Sequence, residues 1–204
     1  MTIVLHEEDL PADFEPAACV AVDTEAMGLH AGRDRLCLVQ LSNGDGNAHL
    51  VRLPQGRYDA PNLRALMANP NVTKIFHYAR FDVGMMKAYL DVIVAPVYCT
   101  KIASKLVRTY TDRHGLKDLL RECLNVEVSK KEQSSDWGAD VITQAQQEYA
   151  ANDVLYLHQL KEVLDQRLER EGRMDLAQAC FDFLPTRAAL DLAGWPETDI
   201  FAHS

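Results

Sequence analysis

No uninterrupted apolar run exceeds the six residues from Ala17 to Val22, far short of the roughly 20 that a membrane-spanning helix needs. Lysine and arginine are missing from Met1 to Leu10, where Glu7, Glu8 and Asp9 stand instead, so the basic start of a secretory signal is not there. The five cysteines (Cys19, Cys37, Cys99, Cys123 and Cys180) are odd in number and form no C-x-x-C, which argues against a disulfide framework or a zinc knuckle. Scattered thiols of this kind fit a reducing compartment, and the expected location is the cytoplasm. The seven histidines never form H-x-x-x-H. No repeat, low-complexity tract or linker breaks the chain, so residues 1–204 are expected to form one domain.

Positive charge is also short: 21 Lys+Arg face 30 Asp+Glu, a formal charge of −9. A protein that grips a polyanion by bulk charge shows the opposite balance. The deficit is uneven, however. From Lys101 to Lys131 there are eight basic residues against four acidic ones, net +4, while the rest of the chain carries −13. With 48% apolar and 25% charged residues, a sizeable core can be buried, and intrinsic disorder is excluded.

Apolar runs at Ala17–Val22, Leu36–Leu41 and Ala48–Leu53, separated by Gly32-Arg33-Asp34 and Asn43-Gly44-Asp45-Gly46-Asn47, predict three strands joined by tight turns. A helix at Pro61–Met67, a strand at Thr73–His77, a helix at Ala79–Tyr89 and an extended piece at Val97–Cys99 follow. Beyond these the pattern is helical. Leu116, Leu119, Leu120, Cys123 and Leu124 recur at helical spacing, and Thr143–Arg170 reads as one long helix. Thr143 is its expected N-cap, Gln146 completes a capping box, and Gly172 lies in its stop. The last residues, Pro185–Ser204, predict one weak helix and a Gly194-Trp195-Pro196 turn. A hairpin meander feeding a β-α-β unit, covered by helices, is an α/β layered architecture.

Asp23 and Glu25 end the most apolar strand, and residues two apart on an extended chain project to one side. Such a pair repels itself unless a cation or a proton sits between. Taken alone, it reads first as the surface end of a strand. Tyr149 and Asp153 are four apart, on one helix face that is otherwise apolar, where an unneutralised carboxylate is costly. The alternative is a surface acid beside a core tyrosine. Asp82 falls in the first turn of the helix after the strand Thr73–His77, where the helix dipole alone favours an acid. Together they place acids where a parallel-sheet enzyme gathers its site. Four carboxylates without a histidine pair or cysteine cluster select hard cations, Mg²⁺ or Mn²⁺. Two such ions about 4 Å apart serve phosphoryl displacement.

Three ordered segments carry a resemblance: Val22-Asp23-Thr24-Glu25-Ala26-Met27-Gly28-Leu29, Phe76-His77-Tyr78-Ala79-Arg80-Phe81-Asp82 and Tyr149-Ala150-Ala151-Asn152-Asp153. With Gly115-Leu116-Lys117 and Glu132-Gln133-Ser134-Ser135-Asp136-Trp137 between them, the chain resembles the ribonuclease D group of DEDD 3′–5′ exonucleases, in the subgroup with Tyr in the third motif. The resemblance implies a ribonuclease H-like fold, a mixed central sheet with an antiparallel second strand, flanked by helices. It implies two divalent cations, with Asp23, Glu25 and Asp153 on one and Asp23 and Asp82 on the other, the last largely through water. Tyr149 then orients the attacking water, because a phenol with a reference pKa near 10 is a better positioner than a base at neutral pH. Met27, Gly28 and Leu29 meet the terminal nucleotide, Phe81 packs beside its base or sugar, and His77 is a further substrate contact.

The implied activity is removal of nucleoside 5′-monophosphates from the 3′ end of single-stranded or 3′-tailed RNA. A DNA-directed exonuclease of the same fold and a catalytically silent nucleic-acid-binding module are the alternatives. Longer relatives append helical nucleic-acid-binding domains; none is expected after Leu184, and a homodimer would lengthen the substrate track. Lys101, Lys105 and Arg108 are expected on one helix face, as are Arg113, Lys117 and Arg121, where phosphates could be tracked. A solvated helix face is the other reading. Trp137 either stacks on a base or anchors its loop, and Met85, Met86 and Tyr89 belong to the core. Tyr78 stands where the family usually has Asn, and no role is assigned to it.

Overall fold

The computed structural model describes residues 1–128, 132 and 134–203; Lys131, Gln133 and Ser204, named above, lie outside the described residues. Six strands form one sheet in the order β1-β4-β3-β2-β5-β6. They are β1 (Ile3–Glu7), β2 (Cys19–Ala26), β3 (Leu36–Ser42), β4 (Ala48–Arg52), β5 (Thr73–Phe76) and β6 (Val97–Cys99). β2 pairs antiparallel with β3, and β3 antiparallel with β4, whereas β2–β5, β5–β6 and β1–β4 are parallel. The second of the three strands predicted from the first apolar runs, β3, is thus the one that runs against the rest.

β2 and β3 lie inside the sheet because both of their faces are apolar. Val20, Ala21, Val22, Leu36, Leu38, Val39 and Leu41 are all fully buried, as expected of strands covered on two sides. β1 escaped the sequence reading. Its five residues include His6 and Glu7 and show no clean alternation, so pairing with β4 rather than local pattern makes it a strand.

Helices α1 (Pro61–Ala68), α2 (Ala79–Leu90) and α3 (Thr100–Val107) alternate with the later strands. A short helix α4 (Leu116–Leu119) continues as a π-helical turn over Leu120–Leu124. The predicted long helix breaks at Tyr156 into α5 (Gln144–Leu155) and α6 (Leu157–Arg170). Its start is as expected, with the Gln146 N–H donating to Thr143 Oγ1 at 3.2 Å and the Thr143 N–H donating to Gln146 Oε1 at 2.9 Å. Gly172, at φ 63°, ends α6, where the Arg173 N–H reaches back to the Leu168 carbonyl at 2.8 Å.

The C-terminal expectation needs correction. One helix, α7 (Met174–Leu192), carries Pro185 in its interior, and no helix covers residues 193–203. Proline is favoured in first turns, which suggested a start there, and it costs about 3 kcal/mol inside a helix. Burial of Ala177, Phe181, Leu184 and Ala188, with α7 lying along α2, outweighs that local preference. Among the described residues no helix is long and apolar enough to cross a membrane.

Candidate active site

Asp23 and Glu25 leave the end of β2 on one side, as the strand alternation requires. α5 packs on β2, β3 and β4 and brings Asp153 to the same point. Asp23, Glu25 and Asp153 each offer a carboxylate oxygen, and the three oxygens lie within 4.8 Å of one another. Asp82 does not join that trio. It lies buried in the first turn of α2, where its carboxylate accepts a 2.6 Å hydrogen bond from the Thr24 hydroxyl.

The cost of this crowding appears in the proton affinities. Burial, then the charges of Asp82, Asp153 and Glu25, raises Asp23 well above the usual carboxylate range. Burial, then Asp153 and Asp82, pushes Glu25 up to about 9. Asp82 rises to about 7, mainly through burial, against the lowering effect of the Thr24 hydroxyl. Acids that repel each other while shut away from water are relieved by a positive charge between them. An all-oxygen donor set of this kind fits a hard divalent cation, not zinc or copper.

Above the acids opens a cavity of about 590 Å³. Asp23, Glu25, Tyr149 and Asp153 line it together with Met27, Gly28 and Leu29, while His77, Phe81 and Lys101 form another part of its wall. Tyr149 is half-buried, its ring centre 6.0 Å from that of Trp137. Its phenol is raised far above its ordinary value by burial first, then by Asp153, Glu25 and Asp23, with a hydrogen bond to Asp153. A proton held that firmly marks a donor, not a base. A Cβ at position 28 would come within 2.2 Å of the Asp34 carboxylate, so any larger residue there must displace that side chain. That carboxylate in turn accepts from the His30 N–H at 3.0 Å and holds the rim in place.

The basic stripe fares less well. Lys101 lines the cavity with its ammonium 4.2 Å from the centre of the Tyr78 ring, and Lys117 lines it too. Lys105 is exposed on α3 outside the cavity. Arg108 is not a substrate contact. Its side chain is fully buried, donating to the Arg113 carbonyl at 2.6 Å and to Ser104 Oγ at 3.3 Å and pairing with Glu122. The helix spacing that grouped it with Lys101 fails because α3 ends at Val107 and Arg108, at φ −114° and ψ 55°, turns inward. Arg121 is engaged with Asp118 at 2.9 Å, and of the second triplet only Lys117 reaches the cavity. Trp137 is 3% exposed and sits in a small core with Leu38, Leu50 and Ala150, so it anchors its loop while presenting one edge to the cavity.

Neither Gln40 nor a role for Tyr78 was legible in the sequence. Gln40, opposite Asp23 in the β2–β3 register, donates to its carboxylate at 3.4 Å. A lone amide inside the run Leu36–Leu41 was the available signal. Tyr78 occupies the left-handed region at φ 69°, 48% exposed on the cavity rim. Asn, the residue the family resemblance leads one to expect there, is among the few side chains that adopt this conformation readily.

Residues 5–169 match the 3′–5′ exonuclease family. The chain belongs to that family. The exonuclease fold is shared throughout: Brucella melitensis NrnC with bound Mg²⁺ is 56% identical with a TM-score of 0.96, and each chain covers 100% of the other. Escherichia coli RNase D is 27% identical with a TM-score of 0.75, covering 84% of this chain and 45% of that one. Ribonuclease D of Acidiphilium cryptum is 37% identical over 156 residues, which are 76% of this chain and 39% of that protein. The chain therefore spans about two fifths of the length of such curated ribonuclease D relatives. The ribonuclease H-like exonuclease architecture and its antiparallel strand stand as the motifs implied.

Proposed function

We propose that this exonuclease-family chain hydrolyses the terminal phosphodiester at the 3′ end of RNA and releases nucleoside 5′-monophosphates. The observation that carries the reading is the convergence of Asp23, Glu25 and Asp153 at the floor of a cavity that Tyr149 also lines. Two divalent cations, Mg²⁺ or Mn²⁺, would be held by these acids, with Asp82 serving the second ion. When bound, such ions make coordinated water nucleophilic near neutral pH and offset charge on the attacked phosphate. Brucella melitensis NrnC, of the same length and fold, holds Mg²⁺ in one structure and pGG in another.

The chain's own residues do the rest. Tyr149 keeps its proton and orients the attacking water by hydrogen bonding. The water oxygen bonds to phosphorus, the bond from phosphorus to the leaving 3′-oxygen breaks, and that oxygen takes up a proton. Lys101 and Lys117 face the phosphates, while the Met27–Leu29 rim and Phe81 receive the terminal nucleoside. The RNA preference rests on the ribonuclease D relatives.

The test is a time course on 3′-tailed and duplex RNA with Mg²⁺, Mn²⁺ or EDTA, using the wild type, Asp23→Asn and Asp153→Asn. Mononucleotide release stops with EDTA and falls on the order of a hundredfold or more in each variant. Near-normal release by either variant overturns the reading.

A further inference from the structure

His77 directly follows β5 and lines the cavity beside Lys101. Its Nδ1 lies 2.9 Å from Oγ1 of Thr100, and that hydroxyl lies 3.2 Å from the Phe76 carbonyl oxygen. Thr100 is fully buried and has one hydroxyl proton. A carbonyl only accepts, so the threonine proton goes to Phe76 and the threonine oxygen accepts from Nδ1–H. The reverse assignment would set two oxygen lone pairs against each other at a fully buried hydroxyl. The hydrogen-bond network therefore fixes the tautomer. Burial and the neighbouring Lys101 charge keep the imidazole neutral, pushed down to about 3. A neutral ring with its proton on Nδ1 has a bare lone pair on Nε2, for which no partner is found among the described residues.

We propose that His77 reads the sugar: Nε2 accepts a hydrogen bond from a ribose 2′-hydroxyl of the nucleic acid in the cavity, and so favours RNA over DNA. Phosphate oxygens bring no proton and would face Nε2 lone pair to lone pair, so phosphate falls to Lys101. Hydroxyls and base amino groups are the donors a nucleic acid offers. Because Thr100 and Lys101 are consecutive on α3, the acceptor stands beside the phosphate cation, along the sugar–phosphate track. The 2′-hydroxyl is also the group by which a protein distinguishes the two nucleic acids. This inference rests on the exonuclease reading above and specifies its substrate class.

The test compares cleavage rates on one short sequence made as the ribo, 2′-deoxy and 2′-fluoro oligonucleotide, with Mn²⁺, for the wild type, His77→Phe and Thr100→Val. Fluorine accepts but does not donate, so the wild type should cut the ribo strand about tenfold faster than both analogues. The ratio should approach one in His77→Phe. In Thr100→Val, which frees the ring to present either tautomer, it should be intermediate. Equal wild-type rates on ribo and 2′-fluoro strands, or a ratio unchanged in His77→Phe, overturns the inference while leaving exonuclease activity in place. Should His77→Phe fail to fold, the wild-type 2′-fluoro rate and Thr100→Val decide alone. Release of nothing by the wild type from any strand overturns the exonuclease reading itself, and the inference with it.

Discussion

The Thr24 hydroxyl donates across 2.6 Å to the carboxylate of Asp82, joining two residues 58 positions apart. It helps tie the acid-bearing strand β2 to the first turn of α2. Its removal in Thr24→Val takes one donor from that buried carboxylate and leaves the backbone N–H groups of Thr24 and Asp82, a loss of about 0.5–1.5 kcal/mol. The Thr24 bond also holds Asp82 below where burial alone would place it. The variant should therefore melt at lower temperature and show the acidic limb of its pH–rate profile moved to higher pH. An unmoved limb would detach Asp82 from the reaction.

Metal-free stability should decline with rising pH. Folding raises Glu25 from 4.5 to about 9 and Asp82 from 3.8 to about 7. The folded chain thus keeps protons that the unfolded chain releases, and the stability they contribute is lost as pH climbs through those folded values. Melting in EDTA should fall between about pH 5 and pH 9, and Mg²⁺ or Mn²⁺ should raise the melting temperature more at pH 8.5 than at pH 5.5. A melting temperature that does not respond to the ions at pH 8.5 would count against the metal site.

Tyr149→Phe removes one hydroxyl from a half-buried ring that packs beside Trp137. The rate should fall on the order of tenfold to a hundredfold, with ion affinity by calorimetry changed less than about twofold, since no phenol oxygen is assigned to a cation. A large drop in affinity with an unaltered rate would make Tyr149 part of the ion's cage.

Tyr78 sits at φ 69° with the Lys101 ammonium 4.2 Å from its ring centre. The left-handed backbone costs an ordinary side chain about 1 kcal/mol, which asparagine largely avoids. The cation–π contact returns about 0.5–1 kcal/mol. Chemical unfolding should find Tyr78→Asn close to wild type, because the two effects cancel. Tyr78→Ala loses the contact and keeps the strain, and should be about 1 kcal/mol less stable than the Asn variant. Equal stabilities for Ala and Asn would show that the backbone conformation carries no penalty there.

The sequence by itself determined what is local or repeated in pattern. The acids two apart at Asp23 and Glu25, the turn spacing of Tyr149 and Asp153, the Thr143–Gln146 box and the apolar runs of β2 and β3 all act over a few residues, so the chain order displays them. Tertiary structure decided what depends on partners. β1 becomes a strand only against β4, α7 keeps Pro185 only because it buries a face along α2, and Arg108 leaves the expected stripe because α3 stops one residue before it. The meeting of Asp23, Glu25 and Asp153, the Gln40 bond to Asp23 and the Thr100 bond that sets the His77 tautomer belong to the same class. Sheet order and helix docking set these distances, and they come from burial summed over the whole core, which no short window of sequence contains.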